Sequence, residues 1–268
     1  MLDFREKSAY PQTRIDEHAY ALATRGFSVF EDFLTNNECE YLKSRLEKAV
    51  LAYSPGSSEQ SVKDRYHLHD LICRDIAFAR QLEDTRLEQI VTPVLGKCWI
   101  LYAYTSSSLP PFGSNYGSRV HVDSPRLIPG HPTNIGLLWA LDEFNDANGG
   151  TLMLPGSHHD SRIPSDTYFS ENAVRITCPK GAMLVFNARV WHRAGENQTE
   201  NWRHSLTMNI CRPYMKQRMD WVRFVPKEIA DQLNEQARRI IGFDTRLPTS
   251  LDEFFVADSE RLYKPNQE

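Results

Sequence analysis

The N-terminal third of the chain carries hydrophobic residues at helical spacing. Arg14 to Arg25 has an apolar face and stops before Gly26, as a helix with a C-terminal glycine does. Phe27 to Leu34 then reads as a strand, and Thr35 can cap a second helix. The pattern therefore predicts a helix, a turn, a strand and a longer helix.

Polar and helix-breaking residues divide the next part of the chain. Ser54 to Ser61 predicts a flexible loop by its composition, and Leu71 to Leu95 predicts a third helical stretch. Because Pro93 lacks a backbone N–H, we expect it to kink this helix or to end it early. Gly96 should close the stretch.

After Gly96 the sequence changes to short runs of β-forming residues separated by Gly, Pro, Asn and Asp, which predicts an antiparallel sandwich or jelly roll. The predicted strand runs are Cys98–Tyr104, Arg119–Asp123, Asn134–Phe144, Thr151–Leu154, Val174–Thr177, Ala182–Phe186 and Ser205–Arg212. Helical patterns return at Gln232 to Ile241 and after Ser250, which can cap a final turn with Glu253.

A single domain is the simplest interpretation of 268 residues, because domains usually span about 50 to 250 residues. Within it we predict a helix-rich support over 1–96, a β-rich core over 97–215 and a helical extension over 216–268.

Composition argues against several classes of protein. Apolar residues make up 41% of the chain, and a formal charge of -4 without a basic stripe argues against a nucleic-acid partner. The N-terminus lacks a secretory signal, and no apolar stretch approaches the roughly 20 residues that a membrane span needs. The five cysteines form no CxxC pair, so we expect reduced thiols in a soluble, cytoplasmic protein.

A candidate metal site comes from three residues. His121 and Asp123 lie two apart in a predicted strand, so their side chains point to the same face. His192 follows an apolar run and supplies a second imidazole. Two imidazoles and one carboxylate leave three positions of an octahedral ion open, which is the arrangement of non-haem iron(II) oxygenases. A bare His-x-Asp is common by chance, so this motif needs support from other residues.

Arg203 provides that support. It follows His192 at a spacing that predicts the next strand of an antiparallel pair, where its side chain could face the same interior. An interior guanidinium needs an anion, and its planar fork binds a carboxylate through two hydrogen bonds. A dicarboxylate bound to the metal at one end could therefore be held by Arg203 at the other.

Four segments together resemble the phytanoyl-CoA dioxygenase family of iron(II) and 2-oxoglutarate-dependent oxygenases, over most of the chain. In order they are His121-Val122-Asp123, NGGTLMLPGSH over 148–158, GAMLVFNARVWH over 181–192, and Arg203. The PGSH segment is the most specific. The resemblance implies a mostly β chain with flanking helices, whose core is a double-stranded β-helix of the jelly-roll, cupin-like type packed by N-terminal helices.

The resemblance also implies roles for individual residues. His121, Asp123 and His192 match the iron ligands of the family. Arg203 and Thr151 match the positions that hold the far carboxylate of 2-oxoglutarate. The implied reaction uses iron(II), 2-oxoglutarate and O2 to hydroxylate an unactivated C–H bond of a small molecule, such as a natural-product intermediate, with release of succinate and carbon dioxide.

Other positions refine this expectation. Ser118 falls where relatives carry a polar or aromatic side chain near the cosubstrate, and Asn134 either lines the substrate pocket or is an exposed amide at a strand edge. Relatives often have a serine where this chain has Ala194, so one supporting hydroxyl is missing or comes from elsewhere. Asp123 fills the position that a halide would need in iron-dependent halogenases, which disfavours halogenation.

Several alternatives remain at this point. Desaturation, epoxidation or ring formation would use the same ligand set. A zinc or manganese hydrolase or isomerase of cupin type, or a non-catalytic binding module, would leave Arg203 without a cosubstrate. The segments 105–116 and 124–133 are predicted lids, but the sequence identifies neither the substrate nor the oligomeric state.

Overall fold

The computed structural model of the chain describes residues 7–52 and 66–261, and the loop predicted at 54–61 lies outside them. The α-helices are α1 Gln12–Thr24, α2 Asn36–Ala52, α3 Leu71–Arg74, α4 Ile76–Ala79, α5 Arg86–Leu95, α6 Asp166–Asn172, α7 Trp221–Phe224, α8 Lys227–Ala230, α9 Glu235–Ile241 and α10 Leu251–Phe254. The β-strands are β1 Phe27–Phe30, β2 Ile100–Ser106, β3 Asn134–Ala140, β4 Leu152–Met153, β5 Val174–Arg175, β6 Met183–Asn187, β7 His192–Arg193 and β8 Ser205–Cys211.

The ends of the first two helices confirm the predicted stop and cap. Gly26 follows α1 at a φ of 91°, a backbone conformation that costs glycine little. At the start of α2, the Thr35 hydroxyl accepts a hydrogen bond from the Glu38 N–H at 3.2 Å, and the Glu38 carboxylate accepts one from the Thr35 N–H at 2.7 Å. This reciprocal capping box satisfies backbone donors that the first turn leaves free.

The strand between these helices is shorter than predicted. β1 ends at Phe30 instead of continuing to Leu34. Residues 31 and 32 form a turn, and the Asp32 carboxylate lies 2.5 Å from the Arg14 guanidinium of α1.

The prediction of one helical stretch from Leu71 to Leu95 is wrong, because α3, α4, a 3-10 turn and α5 share it. Asp75 is extended between α3 and α4, and its carboxylate accepts a hydrogen bond from the Ala77 N–H at 2.9 Å. Pro93 lies inside α5, which continues to Leu95, so the breaks come from capping residues and not from the proline. Gly96 closes α5 at a φ of 82°, as predicted.

Two antiparallel sheets carry the rest of the fold. The larger sheet has the order β1-β6-β3-β8-β2, and the smaller has the order β5-β4-β7. A single bridge between His121 and His192 extends the smaller sheet beyond β7. Every predicted strand run except 119–123 contains a strand. Within 119–123 only the bridge at His121 forms. The run does not continue as a strand, because the N–H groups of Asp123 and Ser124 both donate to Ala188 O and turn the chain.

Apolar side chains cover both faces of the larger sheet. On β3, Ile135 and Trp139 belong to the core that the sheet shares with the helices. Leu138 faces the other way and packs in a second cluster with Phe186 and with Met153 of the smaller sheet. This alternation along the strand is the period of two expected for a sheet covered on both sides.

The prediction of antiparallel sheets with flanking helices is confirmed. The described residues are less rich in sheet than predicted, and 36% of them are helical. Much of the difference arises because several predicted strands are only two residues long.

Two helices were predicted near the C-terminus. The first, α9, starts at Glu235 rather than at Gln232. The second, α10, is capped as predicted by Ser250, whose hydroxyl accepts a hydrogen bond from the Glu253 N–H at 3.2 Å. Among the described residues, no helix is long and apolar enough to cross a bilayer.

Gly136 should be intolerant of any side chain. It pairs with Phe186 across the sheet, and a Cβ at this position would lie 2.1 Å from Cζ of that ring. The ring is buried and lies 5.1 Å from the His192 ring, so it has little room to move. We expect Gly136→Ala to lower the free energy of unfolding by about 1–3 kcal/mol, measured by chemical denaturation.

The double variant Gly136→Ala/Phe186→Leu should recover most of that loss, because the shorter side chain makes room for the added methyl group. If Gly136→Ala alone were as stable as the parent protein, the close contact between Gly136 and the Phe186 ring would be contradicted.

Candidate metal centre

The three predicted metal-binding residues lie together. His121 and His192 face each other across paired backbone hydrogen bonds, each of 2.9 Å. Asp123 Oδ1 lies 3.6 Å from His121 Nε2 and 3.9 Å from His192 Nε2, and one donor atom from each residue lies within 4.8 Å of the others. Residues distant in sequence are therefore brought into one potential coordination sphere.

Hydrogen bonds to the backbone define the tautomer of both histidines. His121 Nδ1 lies 2.7 Å from Arg119 O, and His192 Nδ1 lies 2.9 Å from Val190 O. A carbonyl oxygen can only accept, so each Nδ1 donates, and in the neutral form of each ring Nε2 keeps a free lone pair. Burial also lowers the pKa of His192, which favours the neutral ring that a metal ligand requires.

Arg203 is a buried cation without a matching anion. Its side chain is 2% exposed, and its guanidinium carbon lies 4.0 Å from the centre of the Phe144 ring. Within residues 7–52 and 66–261 no carboxylate reaches ion-pair distance, and Nε and Nη1 have no hydrogen-bond partner. Burial lowers the pKa of Arg203 to about 9. Such a group is costly to bury unless an anion joins it.

The predicted pairing of Arg203 with the strand of His192 is wrong. β7 belongs to the smaller sheet, whereas Arg203 pairs with Leu109 just before β8 of the larger sheet. The intervening segment crosses between the sheets and is fixed by Asn197, whose fully buried amide donates to Pro110 O at 3.0 Å. Arg203 nevertheless lies in the interior, because it packs on Phe144 of the cluster between the sheets.

The other predicted site residues occupy different surroundings. Thr151 is buried immediately before β4. It lies two residues before Met153, which pairs with His192. Thr151 therefore lies on the same face of the smaller sheet as Met153 and His192. Ser118 is half-buried at the end of a 3-10 turn. Asn134 is 4% exposed and donates to Asn209 Oδ1 at 2.9 Å, so the alternative of an exposed edge amide is wrong.

A cavity of about 170 Å³ adjoins Asp123, and sequence reasoning missed most of its wall. Its other lining residues are Tyr102, Ala103, Thr105, Thr207, Asn209 and Arg218. A signal for part of this wall was present in the sequence: along β8, polar Ser205, Thr207 and Asn209 alternate with Leu206, Met208 and Ile210 of the helix-side core. Arg218 comes from the segment after β8, outside the predicted core, and no local pattern indicates its position.

Comparison with known proteins identifies the family. The sequence pattern of phytanoyl-CoA dioxygenase (PhyH) matches residues 22–205. The chain belongs to the phytanoyl-CoA dioxygenase family. This confirms the resemblance inferred from the four sequence segments and supports a non-haem iron oxygenase in general, with which the His-Asp-His cluster is consistent.

Two of three relatives match most of the chain, and the third matches less than half of it. An uncharacterized protein of Mycobacterium tuberculosis is 28% identical over 95% of this chain and 96% of its own length. Dioxygenase trt7 of Aspergillus terreus is 24% identical over 89% of this chain and 87% of its own. Dioxygenase cdmA of Talaromyces verruculosus is 36% identical, over 43% of this chain and 39% of its own.

A solved structure shares the fold of this phytanoyl-CoA dioxygenase family member. The crystal structure of EvdMO1 superimposes with a TM-score of 0.62 and 19% identity over 75% of this chain. The matched part is 50% of that chain.

Two hydroxyl groups near the cavity should respond differently to removal. Thr207 Oγ1 is buried without a hydrogen-bond partner among the described residues, whereas Ser106 Oγ accepts from Leu68 N–H at 3.0 Å and donates to Tyr66 O at 2.6 Å. We expect Thr207→Val to leave the free energy of unfolding unchanged within about 0.5 kcal/mol, or to raise it.

Ser106→Ala is the matched control and should cost about 1–3 kcal/mol, because it removes two buried hydrogen bonds to the backbone. Both values come from denaturant unfolding of the protein without ligands. A larger loss for Thr207→Val than for Ser106→Ala would show that the Thr207 hydroxyl has a structural partner.

Proposed function

We propose that this protein is an iron(II) and 2-oxoglutarate-dependent dioxygenase that hydroxylates an unactivated C–H bond of a small molecule and releases succinate and carbon dioxide. The observation that carries the proposal is Arg203, which is buried between the two sheets and has no anionic partner among the described residues. The same two-sheet core carries the His-Asp-His cluster. A dicarboxylate cosubstrate would give this cation an anionic partner, because guanidinium binds a carboxylate through two hydrogen bonds.

The donor set supports iron(II) at His121, Asp123 and His192. Both imidazoles present Nε2 lone pairs, and the carboxylate lies beside them. Two histidines and one carboxylate suit a non-haem iron centre that retains open positions. The presence of Asp123 also supports oxygenation over halogenation, because the carboxylate would use the position that a halide needs.

The unsatisfied guanidinium supports 2-oxoglutarate as the cosubstrate. Arg203 would donate to its far carboxylate through the N–H groups that lack partners, and Thr151 would contribute its hydroxyl from the smaller sheet. Ser118, which precedes the His121 bridge in the chain, would lie near the cosubstrate. Ala194 has no hydroxyl, so any second supporting hydroxyl would come from another residue.

Bound iron(II) and 2-oxoglutarate would together supply the activation of dioxygen and the oxidising power for C–H cleavage. The residues of the chain orient the reactants and exclude water. We propose that the substrate occupies the cavity beside Asp123, where Thr105, Thr207 and Arg218 can bind polar groups. Asn134 would contribute by holding the side chain of Asn209 in the cavity wall.

The fold supports a double-stranded β-helix within a single domain over 1–268. The chain passes from the larger sheet to the smaller between β3 and β4, returns before β6, and crosses again on each side of β7. Repeated crossing of this kind is characteristic of jelly rolls.

Desaturation, epoxidation and ring formation use the same residues and differ in product. Mass spectrometry of the product separates them, because hydroxylation adds one oxygen atom and desaturation removes two hydrogens. A gain of one oxygen atom is the result that we expect.

The role of Arg203 can be tested separately from metal binding. We expect Arg203→Gln to weaken 2-oxoglutarate binding by roughly tenfold to a hundredfold, because charged hydrogen bonds to the carboxylate are lost. Iron(II) binding should persist, whereas His121→Ala should lose the metal. Anaerobic calorimetric titration gives the cosubstrate affinity, and equilibrium dialysis gives the metal content.

Arg193→Gln is a matched control. Arg193 follows His192 directly in sequence, but its guanidinium lies 6.0 Å from the Phe169 ring on the other face of β7. This variant should bind iron(II) and 2-oxoglutarate as the parent protein does. Equal 2-oxoglutarate affinity in the parent protein and in Arg203→Gln would refute the proposed role.

A further inference from the structure

A second cavity has a volume of about 390 Å³. Helices α1 and α5 form one side of it, and the segment 124–134 forms the other. None of His121, Asp123 and His192 lines it, and it shares no lining residue with the cavity beside Asp123. We call it the α1–α5 cavity.

The wall of the α1–α5 cavity carries basic residues and, among the described residues, no acidic one. Arg126 and Arg189 are its arginines, and His131, His158 and His159 are its histidines. His158 and His159 both place Nε2 near Ala23 O, at 3.2 and 3.0 Å, so they also attach the PGSH turn to α1. The two arginines therefore favour an anion, whereas burial lowers the pKa of His158 and favours its neutral ring.

Arg189 is the strongest feature of this wall. It is 7% exposed, and its guanidinium donates to two carbonyl oxygens, Pro125 O at 3.2 Å and Asp160 O at 2.8 Å. The nearby Asp160 carboxylate is instead paired with Arg162 at 2.5 Å. Arg189 Nε is buried without a partner in the described parts of the chain. The Asp160 carboxylate is close enough to interact with Arg189 electrostatically, but within the described residues no carboxylate forms an ion pair with this buried guanidinium.

Most of the rest of the wall is apolar. Leu22, Pro93 and Val94 line the helical side, and Leu127 and Ile128 line the opposite segment. Ligand pockets of this size typically combine such apolar walls with a few polar groups that orient the ligand. One buried cation beside an apolar chamber suits a ligand with one negative charge and a hydrophobic body.

We propose that the α1–α5 cavity is a binding site for a small monocarboxylate with an apolar body, with its carboxylate at Arg189. This site is independent of the proposed iron and 2-oxoglutarate chemistry. The α1–α5 cavity nevertheless adjoins the metal centre at two points. Ser124, which lines this cavity, directly follows Asp123 in the chain. Asn134, which also lines it, donates to Asn209 in the wall of the cavity beside Asp123.

The proposal can be tested with hexanoate, octanoate, decanoate and benzoate as probes. The full chain is loaded anaerobically with iron(II) and 2-oxoglutarate, so that the metal centre and Arg203 are occupied, and probe binding is measured by calorimetry. We expect saturable binding of at least one carboxylate, and binding of the corresponding alcohol that is weaker by roughly tenfold or more.

Two variants locate the binding. Ala19 of α1 lines the cavity, so Ala19→Trp should fill it and abolish carboxylate binding. Thr13→Trp adds the same side chain to an exposed position of the same helix and should leave binding unchanged. Arg203→Gln should also leave probe binding unchanged, which separates this site from the cosubstrate site.

Retained carboxylate binding in Ala19→Trp would place the probes elsewhere and overturn the proposal. Equal affinity for the acid and its alcohol would also overturn it, because Arg189 would then contribute nothing. Failure of all four carboxylates to bind would refute the site while leaving the proposed dioxygenase function untouched.

Discussion

The site depends on two short hydrogen bonds in which each histidine donates from Nδ1 to the carbonyl oxygen two residues before it. These bonds orient both rings and leave both Nε2 atoms free beside the Asp123 carboxylate. The backbone bridge between His121 and His192 then fixes the distance between the two segments. Without these hydrogen bonds, or without the backbone bridge, the three donor atoms would not converge on one metal position beside the cavity.

The two sheets create a second requirement by enclosing Arg203. Leu206, Met208 and Ile210 of β8 face the helices, so the alternating polar residues of β8 face the space between the sheets. In that space Arg203 is nearly fully buried, stacks on Phe144, and lacks an anionic partner among the described residues. The free energy cost of this burial is best explained if an anion is part of the working protein.

The sequence predicted what depends on local pattern and on short motifs. The α2 cap at Thr35, the stop at Gly26 and the polar-apolar alternation of the strands are local, so they could be read from residue order. The sheet partner of Arg203 could not, because it depends on how the chain crosses at Asn197. The same applies to Arg218 and to the α1–α5 cavity, whose walls join residues distant in sequence.

The central claim is that the histidine-aspartate cluster and Arg203 act together to bind iron(II) and 2-oxoglutarate. Anaerobic titration of the iron(II)-loaded protein with 2-oxoglutarate, followed by visible absorption, tests both parts of it at once. We predict a weak charge-transfer band that saturates as the cosubstrate binds. Absence of this band in protein that has demonstrably bound iron would contradict the account.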